Sequence, residues 1–94
     1  MIGTKDDQGK PRFDLIPPLA ERCVAEVLQY GATKYSPDNW RKVPNAQARY
    51  IAAARRHLNA YQAGEKTDSE SGINHLAHAI TSLMFALELT HSTT

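Results

Sequence analysis

With 94 residues, 41% apolar and 22% charged, and a formal net charge of +1, the chain is the length of one small domain; it has neither an acidic tail nor a general basic coat. Stable DNA or RNA binding is therefore not expected, and any basic function must be local. Cys23 is the one cysteine, which excludes an intrachain disulfide and a single-chain thiolate zinc cluster and fits a reducing compartment.

At this size a single core gives modest stability, so assembly as a homo-oligomer is expected. The first residues, Met1 to Gln8, are polar, without an apolar stretch of signal-peptide length, and no run approaches a membrane span. No membrane partner is expected.

Residues 1–17 carry no periodic apolar pattern. Pro11, Pro17 and Pro18 fix φ and bias the residues before them toward extended backbone, so this segment reads as an extended arm. Lys10 and Arg12 are two apart and project to the same side of an extended chain. They form either a solvated tail or a phosphate clamp.

Pro18 suits the first turn of a helix, and Leu19, Cys23, Val27 with Ala20, Val24, Leu28 follow i, i+4 spacing. The helix is predicted over 18–31, with Gly31 as its stop. The connection that follows contains the turn signature Ser36-Pro37-Asp38-Asn39 and carries Lys34, Tyr35, Trp40, Arg41 and Lys42. Aromatics interleaved with cations suit a stacked base and a held phosphate, or else they plug the end of a bundle.

Asn45 is the expected N-cap of a second helix over 45–63, stopped by Gly64, with a core stripe of Tyr50 or Ile51, Ala54, Leu58 and Tyr61. Arg49 and Arg56 share a face, Arg55 turns away, and His57 lies beside the apolar stripe. A third helix is predicted over 71–90, burying Ile73, Leu76, Ala77, Ile80, Leu83, Met84 and Leu87. Asp68 or Ser69 would cap its start, and residues 91–94 should fray.

The predicted architecture is thus all-α: one domain over 1–94, with an extended arm, three helices and a long loop between the first two. Its chemistry concentrates in Arg55-Arg56-His57 and Asp68 through His78. His75 and His78, at i, i+3, are candidate metal ligands with Asp68; the same side chains also suit capping and hydrogen bonding. No Gly-rich phosphate loop, nucleophile elbow or HExxH pair is present.

The ordered set Gly9-Lys10-Pro11-Arg12-Phe13-Asp14-Leu15 with Pro17, Tyr30-Gly31-Ala32, Lys34-Tyr35, Asn39-Trp40, Arg56-His57-Leu58, Gly64, Asp68, Glu70-Ser71-Gly72 and His75-Leu76-Ala77-His78-Ala79 resembles the phage dATP/dGTP diphosphohydrolase N-terminal domain family across residues 9–88. That family is associated with MazG-type all-α pyrophosphohydrolases, which cut between the α and β phosphates of nucleoside triphosphates. The resemblance implies an oligomeric helical protein of a phage-infected bacterial cytoplasm that recognises a purine nucleotide. It assigns phosphates to Lys10, Arg12, Lys34, Arg56 and Arg55, and the base to Tyr35 or Trp40. It assigns catalytic chemistry to His57, Asp68, Glu70 and His75, and metal to Asp68, His75 and His78, with Mg2+ or Mn2+ as cofactor if the chain is catalytic.

One departure divides the functional reading. MazG-type enzymes hold their ions with an E-x-x-E pair and an E-x-x-D pair on two helices, whereas Glu21 and Glu26 here are five apart and the third helix offers only Glu88. Pyrophosphate release from a purine deoxynucleoside triphosphate therefore stands beside two alternatives. One is a non-catalytic phage sponge for a nucleotide or cyclic-nucleotide immune signal, and the other is a structural helical interaction module.

Overall fold

The computed structural model describes residues 2–91. It contains three α-helices, α1 (Pro18–Lys34), α2 (Ala46–Gln62) and α3 (His75–His91), with short 3-10 turns at Phe13–Leu15 and Asn39–Lys42. Among the described residues there is no strand beyond an isolated antiparallel bridge between Thr67 and Asn74. The all-α class and the three-helix order are as the sequence predicts. The fraying expected of Ser92, Thr93 and Thr94 lies outside the described residues, while His91 is the last residue of α3.

Each helix boundary has a local cause. Pro18 occupies the first turn of α1, as its missing N–H allows. Gly31 does not end that helix, which runs three residues beyond the predicted stop. A helical glycine costs only about 1 kcal/mol relative to alanine, too little to terminate a helix when no breaker follows until Ser36-Pro37. Instead Tyr35 closes the helix, its N–H donating to the Gly31 carbonyl at 2.9 Å.

Asn45 stands where the N-cap was expected but caps nothing with its side chain; its backbone is left-handed (φ 54°), a conformation asparagine tolerates better than most residues. Gly64, at φ 109°, ends the α2 region as predicted. The third helix begins four residues later than predicted because Gly72 is also left-handed (φ 73°), which no helix interior permits. Asp68 caps this tight turn rather than the helix: Oδ2 accepts the Ser71 N–H at 2.8 Å. Asn74 takes the helix-capping role, Oδ1 accepting the Leu76 N–H at 2.7 Å.

The interior is built from small side chains. Val24, Val27, Ala46, Ala54, Ala77, Ala79 and Ala86 are buried together with Thr81 and His75, and no large side chain is fully enclosed among the described residues. This corrects the predicted apolar stripes in part, since Val24, Val27, Ala54 and Ala77 are buried as expected. Leu19, Leu28, Ile51, Leu58, Leu76, Ile80, Leu83, Met84 and Leu87 are all exposed, Leu87 by 63%. The cause is that α3 is apolar on most sides, and its alanine face permits the closest approach to the alanine-rich α2, against which it packs most extensively. The larger aliphatics are left facing outward. Two adjoining apolar grooves sharing Ala20 and Ile80 run between α1 and α3. The radius of gyration, 16.3 Å, exceeds the roughly 12 Å of a compact domain of this length, consistent with an extended arm and an open apolar flank.

Candidate functional site

The link from α2 to α3 folds back on itself and sets the site. The His75 N–H donates to the Lys66 carbonyl (2.9 Å) and the Asp68 N–H to the Ile73 carbonyl (2.9 Å), so residues 65–74 form a closed loop that presses the start of α3 against the middle of α2. His75 is thereby buried, at 4% exposure. Its Nε2 lies 2.9 Å from Glu65 Oε1, and its Nδ1 lies 2.8 Å from His57 Nδ1. A carboxylate only accepts, so Nε2 carries the proton, and in the neutral His75 ring Nδ1 presents its lone pair to His57.

His78, one turn along α3, stacks on His57 with ring centroids 4.6 Å apart and planes at 14°. Its Nε2 is bound to Ser71 Oγ at 2.7 Å and stands 4.0 Å from Asp68 Oδ2. Burial, reinforced by neighbouring imidazoles, holds the His57 and His78 pKa values below the ordinary 6.5, so both rings favour the neutral form at neutral pH. Burial raises the Asp68 carboxyl, but the Ser71 backbone and hydroxyl bonds outweigh it and leave the group below its usual range, hence ionised.

Next to the histidines, Glu70 accepts from the Tyr30 hydroxyl at 2.7 Å and from the Lys34 ammonium. The lysine bond and the tyrosine bond hold Glu70 below the usual carboxylate range, while the same contacts raise Lys34 and Tyr30. Tyr30 and Lys34 line a cavity of about 210 Å³ between α1, the 39–42 turn and α3. Trp40 lies flat on Phe85 (4.3 Å between centroids, 10° between planes), Tyr50 meets Phe85 edge-on, and Lys34 lies over the Tyr35 ring. His78 also lines this cavity, so the stacked imidazoles connect the aromatic pocket to the buried histidine pair.

The sequence matches the family described as dATP/dGTP diphosphohydrolase, N-terminal, over residues 2–94. The chain belongs to this family. A dATP/dGTP diphosphohydrolase of Salmonella phage PMBT28 is 39% identical over 85 residues, which are 90% of this chain and 29% of that protein. The chain thus spans less than a third of the length of the curated relative it matches. No solved structure matches it.

In this member of the diphosphohydrolase N-terminal family, the predicted site residues fall into distinct groups. Lys34, Tyr35 and Trp40 line the aromatic cavity. His57, Asp68 and His75 come together, each placing one ligand atom within 4.8 Å of the other two. His78, expected as a metal ligand with Asp68 and His75, has its Nε2 2.7 Å from Ser71 Oγ and 4.0 Å from Asp68, and His57 stands with Asp68 and His75. Glu70 is tied to Lys34 and Tyr30. Arg55 and Arg56 line a separate shallow groove on α2 with Leu58, Asn59 and Gln62. Lys10 and Arg12 line a groove made by residues 7–14 of the arm, where Arg12 is paired with Asp14 at 2.6 Å.

Phe85, Tyr50 and Glu65 were not among the predicted site residues. Phe85 was legible, since positions 78, 81, 82 and 85 share one face of a helix and the first of them is His78. Glu65 had no such signal, because only the closed loop sets it against His75.

Proposed function

We propose that this chain binds a purine deoxynucleotide, with the base in the cavity lined by Tyr35, Trp40 and Phe85 and the phosphates on Lys34. The observation that carries this reading is the cavity itself, where flat aromatic walls meet a cation at the rim. Aromatic walls hold a base by stacking, and an ammonium holds phosphate as a point charge. Lys34 is engaged by Glu70, so an arriving phosphate must displace that carboxylate. The name of the phage relative, dATP/dGTP diphosphohydrolase, supports dATP or dGTP as the ligand, and the MazG-type resemblance implies hydrolysis to the monophosphate and pyrophosphate with Mg2+ or Mn2+ as expected cofactor. On this reading His57, Asp68, His75 and Glu70 surround the attacking water and supply its metal and base chemistry. Lys10, Arg12, Arg55 and Arg56 serve the phosphates through a second copy in a homo-oligomer joined by the exposed apolar flank.

A second reading, sequestration of a nucleotide or cyclic-nucleotide signal without turnover, draws on one observation. Among the described residues, the group able to hold a metal contains two imidazoles and a single carboxylate, not the paired inward carboxylates of MazG-type catalysis. Incubation with dATP and dGTP plus Mn2+ or Mg2+, followed by mass spectrometry of bound and released species, separates the two. Monophosphate and pyrophosphate support hydrolysis, and intact nucleotide recovered from the denatured complex supports sequestration. Failure to retain either nucleotide or any cyclic dinucleotide overturns both and leaves a structural interaction module.

A further inference from the structure

We infer that His57, Asp68 and His75 form a binding site for a divalent first-row transition ion, in which Glu65 is the positioning residue for His75. This inference stands on the hairpin between α2 and α3 and does not depend on where a nucleotide binds.

Two features favour a cation. First, the Nδ1 atoms of His57 and His75 face each other at 2.8 Å, and one ligand atom from each of His57, Asp68 and His75 lies within 4.8 Å of the other two. At that separation the two nitrogens share one proton in a hydrogen bond, His57 Nδ1–H donating to the His75 Nδ1 lone pair, and a cation that replaces that proton would draw on both lone pairs. An ion with bonds of about 2.0–2.1 Å to nitrogen would bridge both rings after a small separation.

Second, the His75 ring is held as a ligand is held. Its Nε2–H donates to Glu65, its backbone N–H to Lys66, and it is buried, so Nδ1 is aimed at the cluster and the tautomer is fixed. A carboxylate on the far nitrogen of an imidazole orients the ring and raises its basicity toward a metal. His78 is not part of the set, because its Nε2 is committed to Ser71, but its stacking fixes the plane of the His57 ring.

The donor set selects the ion. Two imidazole nitrogens and one carboxylate oxygen suit Mn2+, Co2+, Ni2+ or Zn2+, whereas Mg2+ and Ca2+ require mainly oxygen. Three protein ligands leave coordination positions for an outside oxygen donor such as water or phosphate.

The test uses the whole chain, stripped with chelator, loaded with Zn2+ or Co2+ in the absence of nucleotide, desalted and assayed for metal by mass spectrometry. The expected result is about one ion per chain, with His57→Asn and Asp68→Asn each lowering affinity at least tenfold. Glu65→Gln should weaken binding by roughly 10–100-fold without changing the stoichiometry, as expected of a group that orients a ligand. His91→Gln, at the exposed end of α3, should retain the ion. On the unaltered chain, Zn2+ should shift the imidazole nitrogen resonances of His57 and His75 most strongly, a readout that does not require any variant to fold. No retained ion, equal retention by the His57 and Asp68 variants, unmoved His57 and His75 resonances, or displacement of the ion by equimolar Mg2+ would each overturn the inference. Nucleotide binding without metal retention would leave the aromatic pocket intact, and the converse would leave the metal site intact, so the two readings fail separately.

Discussion

At the N-terminal end of α3, His75 is buried and the polar side chains around it are paired with one another: His75 with Glu65 and His57, His78 with Ser71, Asp68 with Ser71. Along the same helix, Leu76, Ile80, Leu83, Met84 and Leu87 stand exposed, and Leu76, Ile80 and Met84 line grooves shared with α1. The first region is closed within one chain, and the second is an apolar surface that one chain leaves open. The contrast teaches that hydrophobic burial is not what organises the functional end of this domain. A hydrogen-bonded network does that, while the aliphatic surface lies outside it.

The comparison can be broken most severely at His75. Replacement by alanine opens a cavity at a buried position and leaves the half-buried His57 without its partner, and should destabilise the fold by about 2–3 kcal/mol. For a domain of this size that is a fall of roughly 10–20 °C in Tm, measurable by calorimetry. Trp40→Ala removes a wall of the aromatic cavity whose ring is stacked on Phe85, and is expected to weaken nucleotide binding roughly tenfold in Kd by titration calorimetry alongside a smaller loss of stability. An unchanged Kd would remove the base from this cavity.

On the apolar flank, Leu87→Lys should change chain stability by less than about 0.5 kcal/mol, because the side chain is already 63% exposed. Sedimentation should nevertheless show a smaller assembly than the unaltered chain forms. A large stability loss with unchanged mass would mean that this flank serves the fold and not assembly.

The pH dependence sharpens the polar half. His57 and His78 have depressed pKa values in the fold and the ordinary 6.5 when unfolded. The unfolded chain therefore binds protons first as pH falls, so their contribution is present above pH 6.5 and lost as pH drops through the folded values. Tm should decline from pH 7.5 toward pH 5.5, and His78→Asn should flatten that decline. The smallest effect is expected at the solvent-facing Lys34–Glu70 pair. Glu70→Gln should leave Tm unchanged while tightening nucleotide binding at low salt, because Lys34 no longer has a carboxylate competing with phosphate.

Several particular residues show what was readable in sequence. Pro18 and Gly64 mark boundaries because their effects are local, and the helical periodicity between them fixes the all-α class. Gly31 and Gly72 look alike as punctuation, yet of the two only Gly72 has a left-handed backbone. The aliphatics of α3 were assigned to the core because periodicity identifies an apolar face without saying what covers it. Since that helix is apolar on several sides, the alanine-rich surface of α2 selected the small-residue face. At the site, Lys34, Tyr35 and Trp40 were grouped by their closeness along the chain and share a cavity. Glu65 was not found because its role depends on the return of the loop.

That loop has a further consequence for how the domain assembles. His57, Asp68, His75 and His78 all belong to one helical hairpin whose contacts are close in sequence, whereas the apolar flank requires α1 to dock from outside it. Local contacts form sooner than distant ones because less chain entropy is lost in closing them. The histidine cluster should therefore be in place while α1 is still unattached, which makes imidazole protection a marker of the first folding step and burial of Cys23 on α1 a marker of the last.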